Sequence, residues 1–330
     1  MRVLVTGGCG YIGSALVPRL QESPEVSHLT VLDNLSNGSP ANLRDADLSR
    51  DNFTFIQGDV CEYGVVESAM RDTDAIIHLA AITGAASTHD RAEETRAVNL
   101  GGTENVLKAA GKLDVDRIVF ASSCNNYGRA DNRELDETTE QDPINPYAET
   151  KVESEALLAE HASEYDMDTT ALRLSTVYGN ALGIRFNLVV NAFVFRGVTG
   201  RPLTVYGDGS NWRPFINVRD AARAFTDAVC RPNAWSKQVY NVGATSENYQ
   251  IEDIARTVAE ELERPLDITY LEDRQPGPSY HVNFDRLETT GFELRWTLAE
   301  GIRNLASHLG STGQDVRSDT TVAATGERHD

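Results

Sequence analysis

Lysine is almost missing from this chain. Of its 30 basic residues only four are lysine: Lys108, Lys112, Lys151 and Lys237. Positive charge is scarce altogether, with 50 carboxylates set against those 30 cations. Nucleic-acid binding wants a basic footprint to meet phosphates, so the balance argues against that class. Many carboxylates with few lysines instead describe a surface that stays soluble in concentrated salt. A halophilic source is therefore expected. Cysteine is sparse too. Cys9, Cys61, Cys124 and Cys230 are scattered, and no pair has metal-ligand spacing. Neither a disulfide framework nor a metal site is expected of that pattern. No apolar run approaches the roughly 18 residues a membrane helix needs. The segment Met1-Arg2-Val3-Leu4-Val5 enters a strand at once, without the charged front of a signal peptide. The expected setting is a reducing cytoplasm, with no membrane or nucleic-acid partner.

What is present is a regular alternation. Val3-Leu4-Val5 is an apolar strand that runs into a glycine cluster, and Ile12 to Leu20 reads as a helix. Further strands are expected at Leu29–Leu32, Phe53–Gln57, Ala75–Leu79, Arg117–Ala121 and Thr169–Leu174. Helices are expected at Val65–Met70, Thr103–Lys112 and 147–165, the last with Pro146 just before it. Strand–helix alternation predicts an α/β fold with a doubly wound parallel sheet of Rossmann type. Beyond about residue 180, Gly- and Pro-bearing loops separate shorter elements. The expected division is a cofactor-binding domain at 1–175 and a smaller α/β substrate-binding part at 176–310, interleaved with it. The polar stretch 311–330 has almost no large apolar residue and reads as a disordered tail.

Gly8-Cys9-Gly10-Tyr11-Ile12-Gly13 fits G-x-G-x-x-G between a strand and a helix, the context that motif requires. Glycines let the backbone approach a pyrophosphate, which then sits at a helix N-terminus. Asp33 ends the second strand, 20 residues after Gly13. A carboxylate there accepts from a ribose 2′-OH and repels a 2′-phosphate, and Asn34 rather than an arginine follows it. NAD is favoured over NADP. Tyr147 and Lys151 stand at i and i+4 on one helical face. A free tyrosine titrates near about 10, and a nearby ammonium favours its phenolate. Hydroxyls at Ser122 and Ser123 follow the fifth strand, at the end where α/β folds bind ligands.

These motifs, in this order, resemble the extended short-chain dehydrogenase/reductases, in the nucleotide-sugar epimerase/dehydratase group. Thr6-Gly7-Gly8-Cys9-Gly10-Tyr11-Ile12-Gly13 matches the group's opening motif. Asp33-Asn34 resembles its ribose-binding turn and Gly58-Asp59-Val60 its adenine contact. His78-Leu79-Ala80-Ala81 is similar to the strand beside its cofactor, and Asn99 to the asparagine of the following helix. Counting back four residues from Tyr127 in the serine motif gives Ser123 as the catalytic hydroxyl, beside the Tyr147/Lys151 pair.

In the second half, Leu203 to Asp220 resembles the group's C-terminal signature. The resemblance implies that Arg213 binds the sugar-nucleotide diphosphate, with Asn187 and Arg274 as further donors, Arg being suited to the task. Thr176 stands where many relatives carry Asn, Pro214 where Asp is usual after the arginine, and Pro278 where Asp often follows Gly277. Cys124-Asn125 occupies the positions where 4,6-dehydratases carry an Asp-Glu pair. Cys124 is either a thiol acid/base facing the sugar or a small residue packed under the substrate. The implied activity is NAD-dependent C4 epimerisation of an NDP-hexose, with UDP-glucose/UDP-galactose as the default pair. The alternatives are a sugar dehydrogenase or 4-ketoreductase, then a 4,6-dehydratase, and, in a different class, a non-catalytic NAD-sensing regulator. Relatives also imply a homodimer through two helices per subunit, here about 93–112 and 147–165.

Overall fold

The structure, a computed structural model, describes residues 1–84, 87–129, 134–263, 265–271 and 277–319, with side chains as far as residue 310. The first half runs β1 (Arg2–Thr6), α1 (Tyr11–Glu22), β2 (His28–Asp33), β3 (Phe53–Gln57), α2 (Tyr63–Ala69) and β4 (Ala75–His78). It continues through α3 (Ala92–Arg96), α4 (Gly102–Lys112), β5 (Arg117–Ser123), the short β6 (Glu134–Leu135) and α5 (Pro146–Tyr165). Then come β7 (Asp168–Leu174), β8 (Thr176–Tyr178), α6 (Val189–Val198), β9 (Leu203–Tyr206), β10 (Trp212–Asn217), α7 (Val218–Cys230) and β11 (Val239–Val242). The chain closes with β12 (Asn248–Gln250), α8 (Ile251–Glu261), β13 (Ile268–Leu271), β14 (His281–Val282), α9 (Asp285–Glu288) and α10 (Leu298–Asp319).

Seven strands form the central sheet in the order β11-β7-β5-β4-β1-β2-β3. Every neighbouring pair in it is parallel. Val3, Leu4 and Val5 of β1 are fully buried, which is why its apolar run is continuous rather than alternating. The order reverses between β1 and β4. Their carboxyl ends open the crevice in which such sheets bind ligands. Helices α1 and α7 pack together on one face of the sheet. Helices α2, α4 and α5 cover the other. A third apolar cluster joins α6, α8 and α10 with β9 and β10. Strand β11 belongs to the second half of the chain yet completes the first half's sheet, so the two parts share one frame.

Helix α5 begins where its sequence says it should. Pro146 takes its first turn, and Asn145 Oδ1 caps it by accepting from Ala148 N at 3.0 Å. The helix expected over 93–112 is interrupted. Ala97–Gly101 is a π-helical turn between α3 and α4, a feature that often marks functional sites. The polar stretch expected from Ser311 coincides at first with the end of α10, and residues 320–330 lie outside the described residues.

Candidate active site

At the end of β1 the backbone is shaped for close approach. Gly7 has φ +73°, and a Cβ there would lie 2.6 Å from Ala80 N. A Cβ on Gly13 would overlap the Gly8 carbonyl. Gly10 caps α1 with no side-chain acceptor, and no acid stands in that first turn. The N–H groups of Tyr11, Ile12 and Gly13 are thus left for an anion. Asp33 is 8% exposed, and its two oxygens accept from Cys9 N at 2.9 Å and Leu35 N at 2.8 Å. It braces the glycine loop while keeping lone pairs for a ribose. Asn34 Nδ2 donates to Asp59 Oδ2 at 2.8 Å, and Cys61 N donates to Asp59 Oδ1 at 2.8 Å. Burial works against the Asp59 carboxylate, but these donors outweigh it and lower its pKa. Val60 is buried, while Leu79, Ala80 and Ala81 are half-buried at the mouth of the crevice. A glycine cradle, a bare helix N-terminus and a strand-end carboxylate fit NAD.

Asn99 stands on the π-turn and is held by the backbone. It is 2% exposed, accepts from Ile82 N at 2.7 Å and donates to Ile82 O at 3.0 Å and Thr150 Oγ1 at 3.1 Å. It clips the strand beside the cofactor to α5, from within the π-turn. His78 bonds Thr6 Oγ1 at 2.6 Å and Thr103 Oγ1 at 3.1 Å. Burial, then the charge of Lys151, pushes its pKa down to about 3, so it stays neutral.

The expected catalytic set comes together above β5. Ser123 ends that strand and caps the turn Cys124–Tyr127 by accepting from Asn125 N at 3.1 Å. Its neighbour Ser122 is 2% exposed and donates to Glu155 Oε1 at 2.5 Å, so it is occupied elsewhere. Lys151 is 3% exposed, with Nζ 4.4 Å from the Phe120 ring centre and 5.9 Å from that of Tyr147. Burial drives the Lys151 pKa down to about 7, and Glu155 pulls against that shift. Burial also raises the Tyr147 phenol. A hydrogen bond from Ser123 and the charge of Arg185 pull it back. Arg185 is thus a second cation near Tyr147, beside Lys151 on the same helix.

The surroundings of Cys124 favour the packed alternative. It is 1% exposed, and its thiol donates to Arg173 O at 3.2 Å beneath the turn. Burial raises its pKa strongly, leaving a protonated thiol that faces the core rather than the sugar. Arg213 stacks its guanidinium 4.4 Å from the Tyr280 ring centre and donates to Trp212 O at 3.2 Å. Tyr280 is 3% exposed, and burial lifts its pKa to about 12, with Cys124 and Tyr147 adding to the rise. Thr176 is half-buried opposite Phe215 on β10, and Asn187 is exposed. Arg274 lies outside the described residues.

The model of the NAD dependent epimerase/dehydratase family matches residues 3–243. The chain belongs to that family. It is 31% identical over 304 residues to the low-salt glycan biosynthesis protein Agl12 of Haloferax volcanii, covering 92% of this chain and 96% of that one. UDP-glucose 4-epimerase of Thermus thermophilus, solved with NAD, shares 28% identity at TM-score 0.80, covering 94% of this chain and 99% of that one. The dTDP-glucose 4,6-dehydratase DesIV of Streptomyces venezuelae, solved with NAD and TYD, shares 26% at TM-score 0.85, covering 95% and 98%. This chain is thus an NAD-dependent enzyme of the extended short-chain dehydrogenase/reductase type. Among the described residues no helix is long and apolar enough to cross a membrane.

Three members of the cleft escape a sequence reading of this family chain. Arg185 donates to Thr83 Oγ1 and approaches Tyr147 from a loop without periodicity. Asn191 donates to the Tyr11 hydroxyl at 3.2 Å and accepts from Gly179 N at 2.9 Å, tying the glycine-loop helix to the second half. Tyr280 follows the Gly277-Pro278 pair with no motif of its own. Only Glu155 carried a legible signal, four residues after Lys151 on the same helix.

Proposed function

We propose that this enzyme epimerises a nucleotide-activated hexose at C4 through a transient 4-keto sugar, with UDP-glucose and UDP-galactose as the default pair. The observation that carries this reading is the turn after β5. It offers the Ser123 hydroxyl to Tyr147, but its next two positions hold a buried thiol and an amide, Cys124 and Asn125. Elimination of water needs an acid/base pair, and those positions supply no carboxylate.

Bound NAD supplies hydride acceptance and return at C4. The rest is the work of side chains. Tyr147 takes the proton from the C4 hydroxyl and later gives it back. Ser123 holds the same oxygen. Lys151 sits deeper on α5, where it holds the nicotinamide ribose. Arg213, stacked on Tyr280, anchors the diphosphate, with Asn187 at the mouth. With the diphosphate held, the keto sugar turns over within the cleft and presents its other face.

We also read the protein as a cytoplasmic homodimer built through the α3–α4 and α5 flank. Arg96 and Glu153 already bridge those elements with a bidentate pair at 2.6 and 2.5 Å on their exposed side. A screen of sugar nucleotides with product analysis by NMR tests the reaction. The expected product is inverted at C4, without accumulated NADH. A 4-keto-6-deoxy product would move the assignment to a dehydratase, and stoichiometric NADH to a dehydrogenase.

A further inference from the structure

Behind the catalytic face of α5 lies a charged group that the chemistry above does not use. Glu155 stands one helical turn beyond Lys151. Its side chain is 7% exposed and pairs with Arg173 of β7, itself 6% exposed, at 2.7 Å. Its Oε1 also accepts from Ser122 Oγ at 2.5 Å and from Asn126 Nδ2 at 3.0 Å. Its Oε2 accepts from Gln141 Nε2 at 3.2 Å.

Ser122 and Asn126 flank the stretch that carries Ser123. One carboxylate therefore ties both ends of the serine turn to the helix that carries Tyr147 and Lys151. A buried pair of this kind is a weak device for stability, because desolvation offsets much of the Coulomb gain. Its geometry points to placement instead. The electrostatics agree. Lys151 is faced by the neutral His78 ring from β4, by the Phe120 ring from β5, and by Tyr147 and Glu155 from its own helix. Arg173, from β7, is bound to Glu155, and the Cys124 thiol is protonated. Among these groups Glu155 is the standing negative charge.

We propose that Glu155 is a positioning residue of the catalytic set, fixing the serine turn against α5 and supplying the countercharge that keeps Lys151 an ammonium. This rests on the reading of Tyr147, Lys151 and Ser123 as the catalytic set, but not on which sugar is turned over.

The chain's four lysines make the test direct. In protein labelled with ¹³C at the lysine ε-carbon, the Lys151 signal, assigned with Lys151→Arg, reports its own titration without any substrate. Glu155→Gln should lower that midpoint by about one unit, the low end for loss of an adjacent opposite charge. The alkaline limb of the turnover profile should move to lower pH with it. Ser122→Ala, which keeps the charge, should leave the midpoint in place and lower kcat a fewfold at unchanged KM. If Glu155→Gln does not fold, Glu155→Gln with Arg173→Gln removes both buried charges together and should still lower the midpoint, by less than the single change because loss of the Arg173 cation works the other way. A folded variant whose Lys151 midpoint equals that of the parent overturns the proposal. Loss of turnover with an unmoved midpoint overturns it equally, by showing a merely structural role. Because the titration is read without substrate, a failed epimerase assignment would leave this result intact.

Discussion

On the cofactor side of the cleft, Asp33, Asn34, Asp59 and Asn99 are already bonded to backbone or to each other. On the side proposed for the substrate, the Arg213 and Arg185 side chains, among the described residues, donate only to a carbonyl and a hydroxyl, and no ion pair involves either. That contrast is sharper for standing in a chain with so many more carboxylates than cations. A half-buried guanidinium without a carboxylate is costly unless a ligand completes it. The cofactor is therefore met by backbone shape, which side chains merely brace. In the proposed reading the substrate is met by charge, which side chains carry. Substitutions on the two sides should fail in different ways.

Tyr147 stands between the two sides and should show the largest effect. Tyr147→Phe removes the acid/base oxygen alone and should cost about a hundredfold to ten-thousandfold in turnover, with NAD affinity unchanged by titration calorimetry. Near-normal turnover would break the account at its centre. Next comes the cofactor side. Gly7→Ala puts a Cβ 2.6 Å from Ala80 N at a φ of +73°. Backbone on both sides cannot yield cheaply. NAD binding should weaken by roughly a hundredfold, on the order of the 3 kcal/mol such strain costs. Arg213→Ala is the counterpart on the substrate side. It should raise KM for the sugar nucleotide by roughly ten- to hundredfold, the worth of a charged hydrogen bond, and leave NAD affinity alone. If Arg213→Ala instead weakened NAD, the two sides would not be separable as drawn.

The smallest effect concerns stability. Glu247 is 6% exposed, and burial lifts its pKa to about 7 from 4.5, with Asp220 and Glu300 adding to the rise. The folded state thus holds a proton that the unfolded state releases, and stability falls as pH rises from about 4.5 through 7. Glu247→Gln, which stays neutral, should raise Tm by roughly 2 °C at pH 8 and by little at pH 4.5, read by calorimetry. A gain that did not depend on pH would contradict the burial account.

The same contrast governs what was legible in the sequence. The cofactor side is written in local pattern: an apolar strand, a glycine loop, a strand-end aspartate, each within a few residues of the next. All stand where they were expected. Tyr147 and Lys151 were legible for the same reason, being one helical turn apart. The substrate side is assembled from distant loops. Arg185, Asn191 and Tyr280 reach the cleft through tertiary contacts that no period announces. Two buried side chains needed the tertiary structure to place them. Cys124 follows a catalytic-looking serine, yet the turn rotates its thiol into the core. Asn99 sits in a motif beside the cofactor, yet a π-turn aims its amide at the backbone of Ile82.

Isotope tracing tests the central claim most directly. The account has one hydride leave C4 and return to C4, with no proton lost from C3 or C5. UDP-glucose carrying deuterium at C4, or the sugar nucleotide the screen identifies in its place, should give the C4 epimer with that deuterium retained. The same reaction in D₂O should place none on carbon. Deuterium carried to another carbon, solvent deuterium at C5, or label trapped as reduced cofactor would contradict it.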